Sequence, residues 1–230
     1  MERQRIIDFI RSFSTYRDSR LLASIREEAI SDRVPIIRRE TQELLHILIQ
    51  MRKPKRILEV GTAIGFSSVF MSECAGADTD ITTIENYPPR IERAKANIEM
   101  AGLTDRIRLI PGDAAEILPA LEGSFDMIFM DAAKGQYISF LPQVKRLLAE
   151  EGLLVSDNVL QDGDIFESRY GIRRRNHTIH HRMREYLYAL THDPGLHTII
   201  LETGDGVAVS LAVEKKDTED GEKPETKGLE

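Results

Sequence analysis

Asp131, Lys134, Asp157 and Asn158 are the residues whose types and spacing are best suited to chemistry. Two carboxylates and an amide carbonyl are hard oxygen donors. Together they suit Mg²⁺ or Mn²⁺, with open positions left for an acceptor and water. Asp131 closes the apolar run Phe125-Asp126-Met127-Ile128-Phe129-Met130, and Asp157 and Asn158 close Leu153-Leu154-Val155-Ser156. If those runs are adjacent strands, the three oxygens converge. One such residue could be no more than a helix cap; three at one place make a site. Lys134 lies three residues beyond Asp131 and reaches the same place. A lysine held beside a divalent cation is pushed toward its neutral form and can act as a base.

A second constellation lies upstream. Ile57-Leu58-Glu59-Val60-Gly61-Thr62-Ala63-Ile64-Gly65-Phe66-Ser67-Ser68 reads as a buried strand, a glycine turn and the start of a helix. Such a turn lets backbone approach a ligand closely and offers it free N–H groups. A dinucleotide fingerprint needs glycine at position 63, which is Ala63. Glu59 stands two residues before Gly61. An acid there would repel a pyrophosphate but suits a cationic ligand such as S-adenosylmethionine. The run Ile81-Thr82-Thr83-Ile84-Glu85 ends in a carboxylate placed for ribose hydroxyls. Pro111-Gly112-Asp113-Ala114-Ala115 is a turn into a helix. It can hold the adenine edge through Asp113 and backbone N–H groups, or Asp113 can cap the helix, and the two roles are compatible.

These residues need strands ending on one side of a sheet. Strands are predicted near 56–60, 80–85, 106–110, 125–130 and 153–157. Helices are predicted near 2–12, 19–31, from Pro35 onward, and near 66–76, 88–102, 113–121 and 136–149. The helix from Pro35 carries Ile37, Leu44, Leu45, Leu48 and Ile49 at helical spacing. Alternating strands and helices predict a parallel sheet covered on both faces. Thr198–Leu201 and Val207–Leu211, joined by a Gly/Asp turn, predict an antiparallel hairpin at the edge. One α/β domain over 1–213 is expected, with 1–33 as a helical extension and 214–230 as a charged, disordered tail.

Composition narrows the class. A chain of 230 residues suits one such domain. No run of about 18 apolar residues exists, so no membrane partner is expected. Met1-Glu2-Arg3-Gln4-Arg5 lacks the apolar core of a signal peptide. The single cysteine, Cys74, has no histidine near it in sequence. It reads as a packing residue in a reducing, cytoplasmic setting. A net charge of −7 argues against a surface that binds nucleic acid, including DNA, all over.

The motifs ILEVGTAIGFSS, TTIE, GDA, MDAAKGQY and SDNVL resemble those of the cation-dependent, catechol-type O-methyltransferases over roughly residues 33–213. The resemblance implies a Rossmann-like, seven-stranded, mostly parallel sheet. It places metal ligands on Asp131, Asp157 and Asn158 and the catalytic lysine on Lys134. Cofactor contacts fall on Ile36, Glu59, Gly61, Ser67, Glu85, Gly112, Asp113, Ala114 and Asp131. It also implies S-adenosylmethionine as methyl donor, a substrate with two chelating oxygens and a homodimer.

The segment from Arg169 to Arg184 holds six arginines and three histidines and no acid. Ile179, Met183, Leu187 and Leu190 form an apolar helical face. Arg173, Arg174 and Arg175 precede it and can grip phosphates and stack on bases, or form a solvated face or dimer contact. His177, His180 and His181 are expected to face RNA or solvent. The N-terminal helices, this run and the GDGVAVS hairpin resemble the bacterial tRNA 5-hydroxyuridine methyltransferases. That resemblance implies methylation of the 5-hydroxyl at the tRNA wobble base. A small phenolic acceptor would need an apolar wall, which the absence of Trp and 6% aromatic residues disfavour. A non-catalytic RNA-binding module would show a broken metal set, and here the set is intact.

Overall fold

The computed structural model describes residues 2–168 and 170–213. The expected disordered tail and Arg169 lie outside the described residues. Seven strands form one sheet: β1 (Arg56–Val60), β2 (Asp80–Glu85), β3 (Ile107–Pro111), β4 (Phe125–Met130), β5 (Leu148–Asp157), β6 (Leu196–Leu201) and β7 (Val207–Ala212). Their order is β3-β2-β1-β4-β5-β7-β6. β1 to β5 pair in parallel, and β7 runs antiparallel to both β5 and β6. β1 lies between β2 and β4, so strand order reverses there. Helices leave that point in opposite directions and open a crevice at the carboxyl ends.

Alternation along the strands sorts side chains onto two cores. Ile57, Met127, Phe129 and Val155 face α2 (Arg20–Ser31), α3 (Arg39–Arg52), α4 (Phe66–Ala75) and α5 (Pro88–Met100). Leu58, Val60, Ile128, Met130 and Leu154 face α6 (Ala114–Ala120), α7 (Tyr137–Leu147) and α8 (His177–Thr191). α1 (Glu2–Ser12) precedes α2, which buries Leu22, Ile25 and Ala29 and so belongs to the core rather than hanging from it. Among the described residues no helix is long and apolar enough to cross a membrane.

Three expectations need correction. The third helix begins at Arg39, not at Pro35. The chain continues in extended form to Arg38 (φ −68°, ψ 156°), which leaves Pro35 and Ile36 on a cleft wall. β5 starts five residues early, at Leu148, because the pairing with β4 shifts register between Phe125 and Met127. Cys74 does meet a histidine. His46, on α3, brings Nδ1 within 3.2 Å of its sulfur. Burial pushes the thiol up to about 12, so it stays protonated and packs as expected.

Candidate active site

The cleft at the strand ends has a volume of about 610 Å³. Its floor begins at Gly61. The Gly61 and Thr62 N–H groups both donate to Ile84 O of β2, at 3.0 and 3.1 Å, and Asp131 N donates to Val60 O at 2.9 Å. The turn is thereby stitched to β2 and β4. A Cβ on Gly61 would lie 2.2 Å from Asp131 O, and φ is +108°. Only glycine allows both the conformation and the approach.

Glu85 ends β2 facing the cleft. Its Oε2 accepts Ala63 N at 2.8 Å, and its Oε1 accepts Asn86 N and Tyr87 N at 3.1 and 3.0 Å. The carboxylate is therefore rigid, and Oε2, with a single donor, keeps a lone pair for a ribose hydroxyl. Asp113 caps α6 by accepting Ala115 N at 2.8 Å while lining the cleft with Gly112 and Ala114. Both roles anticipated for it are geometrically available. Ile36 forms part of the opposite wall.

Glu59 and Ser67 do not line the cleft. Glu59 shares the β1 face of Ile57, which looks toward α4, and is 0% exposed. Its Oε2 accepts the Thr83 hydroxyl at 2.5 Å and the Ser68 hydroxyl, while Oε1 is buried without a partner. Burial pushes its carboxyl up to about 7, and the charge of Asp131 adds to the effect. Ser67 is buried in the first turn of α4. Both residues lie beneath the turn.

The adjacent ends of β4 and β5 bring the oxygen donors together. Lys134 Nζ donates to Asp131 Oδ1 at 2.9 Å and to Asn158 Oδ1 at 2.7 Å. It lies 3.5 Å from the Tyr137 hydroxyl. Asp131, Lys134 and Asn158 line the cleft. Asn158 has φ +56°, which turns the chain sharply after β5. Asp157 is 1% exposed and sits just below the wall. Its Oδ1 accepts Asn158 N at 2.8 Å and the Thr41 hydroxyl at 3.2 Å, and its Oδ2 has no partner. Burial first, and then the Asp131 charge, raises the Asp157 carboxyl above the usual carboxylate range.

This donor set fits a divalent cation. An unpartnered buried carboxylate oxygen beside a second carboxylate and an amide carbonyl is deficient in positive charge, and one lysine ammonium supplies what there is. Among the described residues no three His, Cys, Asp or Glu side chains cluster for a metal, so the third donor here is an amide. The cleft also fits a nucleoside, with Glu85 at one end and Asp113 beside it.

The arginine run is exposed. Arg174–Asn176 forms a short 3₁₀ turn leading into α8. α8 packs beside the Lys134–Gln136 turn, where Arg182 donates to Gly135 O at 3.0 Å. Arg173, Arg174 and Arg175 lead into this helix and do not line the cleft. The expectation for the histidines fails at His180, which is buried and bonds Glu167 O through Nε2 at 3.1 Å. It falls three residues before Met183 on the apolar face of α8. His177 is half-buried against Ile172 O, and His181 is exposed beside Glu185.

Several cleft residues had no reading from sequence: Arg38, Asn86, Arg90, Gln136 and Asp205. Asn86 follows Glu85 directly, and Asp205 sits in the Gly-Asp-Gly turn, so both carried a local signal. Tyr137 was visible only as the end of MDAAKGQY. Its hydroxyl donates to Met130 O at 2.9 Å and Asp157 O at 3.2 Å, joining the ends of β4 and β5.

Residues 11–213 match the family described as O-methyltransferase. The chain is 34% identical over 164 residues to a catechol O-methyltransferase of Niastella koreensis, covering 69% of this chain and 74% of that one. A solved structure of a caffeoyl-CoA O-methyltransferase candidate from Staphylococcus aureus superimposes with TM-score 0.80 at 32% identity, covering 92% of this chain and 99% of that one. An SAH-bound methyltransferase from Podospora anserina gives TM-score 0.82 at 25% identity, covering 92% and 95%. The chain belongs to the O-methyltransferase family, whose members take the methyl group from S-adenosylmethionine.

Proposed function

We propose that this enzyme methylates one of two adjacent, chelating oxygens, and that its acceptor is the 5-hydroxyl of 5-hydroxyuridine at the tRNA wobble position. The observation that carries the chemistry is the bridge from Lys134 Nζ to Asp131 and Asn158 beside the unpartnered Asp157 oxygen. The 5-hydroxyl and 4-carbonyl of that base form a chelating pair comparable to a catechol. The exposed arginines leading into α8, the helix that packs beside the Lys134–Gln136 turn, support an RNA acceptor, because they can neutralise phosphates.

Asp131, Asp157 and Asn158 would hold Mg²⁺ or Mn²⁺. When bound, such a cation stabilises the ionised acceptor hydroxyl. Lys134 Nζ, held between Asp131 and Asn158, is the group placed to take the hydroxyl proton. Glu85, held by three backbone N–H groups, fixes the ribose and so the position of the sulfonium. Gly61 brings the turn against β4, so donor and acceptor meet over one strand junction. The new bond forms from acceptor oxygen to methyl carbon as the carbon–sulfur bond breaks, and the electron pair leaves with S-adenosylhomocysteine. Positioning then supplies much of the rate.

A second reading, a small catechol acceptor, is favoured by the catechol O-methyltransferase relative at 34% identity. It uses the same oxygens and lysine. Methyl transfer from labelled S-adenosylmethionine, with Mg²⁺ or EDTA, to tRNA carrying 5-hydroxyuridine and to catechol separates the two. Metal-dependent labelling of the tRNA alone supports the RNA reading. Labelling of catechol alone reassigns the arginine run to structure or to a subunit contact.

A further inference from the structure

We propose that Thr41 is a positioning residue for the cation site, its hydroxyl holding Asp157 in the orientation that leaves Oδ2 without a protein partner. The inference rests on reading Asp131, Asp157 and Asn158 as cation ligands. Thr41 lies in the first turn of α3, 116 residues from Asp157 in sequence, and is fully buried. Its hydroxyl donates to Asp157 Oδ1 at 3.2 Å, and the Asn158 N–H donates to the same oxygen at 2.8 Å. Oδ1 is thus occupied twice while Oδ2 is buried with no partner.

A carboxylate with two donors on one oxygen and none on the other is oriented. Rotation about the Cβ–Cγ bond would exchange the oxygens and move the bare one. The N–H of Asn158 is a next-door neighbour and moves with the strand end. Thr41 comes from another layer of the fold and ties the carboxylate to it. Ligand-orienting contacts of this kind commonly set metal affinity.

The surroundings make room for this hydroxyl. A Cβ on Gly204 would lie 2.8 Å from Thr41 Oγ1, and Gly204 has φ +62°. Arg38 donates to Gly204 O at 3.1 Å, holding the β6–β7 turn against the start of α3. Pro35, Ile36 and Arg38 line the cleft just before Thr41. One short segment therefore touches both the cofactor cleft and a cation ligand.

The test is Mn²⁺ binding to the full chain, read as loss of the free-ion paramagnetic resonance signal, with melting temperature measured alongside. Thr41→Val keeps the shape and removes the donor, and should weaken Mn²⁺ binding by roughly tenfold. Thr41→Ser keeps the hydroxyl and should return affinity to within about twofold of the parent on the same reasoning. Equal Mn²⁺ affinity in folded Thr41→Val and the parent overturns the inference. Failure of the parent to bind Mn²⁺ overturns the cation reading and this inference with it. Should Thr41→Val not fold, Gly204→Ala presses a methyl onto the same hydroxyl. Weakened binding in that variant supports the assignment, and unchanged binding overturns it.

Discussion

Glu59 should make the ligand-free protein lose stability as pH rises from 5 to 8. In the folded chain its carboxyl titrates near about 7, against 4.5 for an ordinary glutamate, because it is buried. A raised folded value means that the native state holds the proton more tightly than the unfolded chain. The stabilisation is fully present below 4.5 and is lost as pH climbs through 7. At roughly 1.4 kcal/mol per pH unit, the gap is worth about 3.5 kcal/mol, as an upper figure. About 2.5 kcal/mol of that falls between pH 5 and pH 8.

The side chain offers a clean control. Oε2 accepts from Ser68 and Thr83, Oε1 has no hydrogen bond of good geometry, and the Ser67 hydroxyl also stands by the carboxyl. In Glu59→Gln the amide oxygen can keep both hydroxyl bonds, and the NH₂ takes the place of the bare oxygen. Urea unfolding in EDTA without cofactor should give curves of stability against pH that agree near pH 5 for the two proteins. They should part by about 2 kcal/mol or more at pH 8, with the variant the more stable. Asp157 shifts in the same sense and remains in both proteins, so it cancels in the difference. Curves that stay parallel across the range would show that Glu59 ionises freely in the fold and would refute the burial argument.

Replacing Lys134 by Met should lower turnover by about a thousandfold while S-adenosylmethionine affinity stays within about threefold, by single-turnover kinetics and calorimetry. A comparable loss in both would make the lysine a binding residue. Changing Arg173, Arg174 and Arg175 together to Ala should weaken tRNA binding and reduce the slope of log affinity against log salt by about 2 to 3. An unchanged slope moves the RNA surface elsewhere. Gly61→Ala should destabilise the fold by about 3 kcal/mol or more, because the added methyl meets the backbone of Asp131. A soluble variant with a parental unfolding midpoint would contradict that close approach.

Much of the frame was readable from sequence. Central strands buried on both faces are rich in apolar and β-branched residues, so β1, β2 and β4 were located to the residue. The Gly/Asp turn announced the β6–β7 hairpin. Asp131, Asp157 and Asn158 were readable because parallel strands put consecutive carboxyl ends side by side. The start of α3 was misread because Ile37 fits the helical spacing and is buried, yet lies in the extended segment after Pro35. His180 was misread although its spacing to Met183 placed it on the apolar face.

Glu59 and Thr41 show where local reading stops. The face of Glu59 follows from strand alternation, since Ile57 and Glu59 must look the same way. Its nearness to Gly61 in sequence suggested the cleft instead. A turn reverses direction within two residues, so adjacency across it says little about facing. Thr41 carries no local signal at all. Its partner lies 116 residues away at the end of β5, and the β6–β7 turn is bonded to the same end of α3 through Arg38. The strand ends decide which oxygens converge at the cleft. Contacts between layers, which no spacing encodes, decide how those oxygens point.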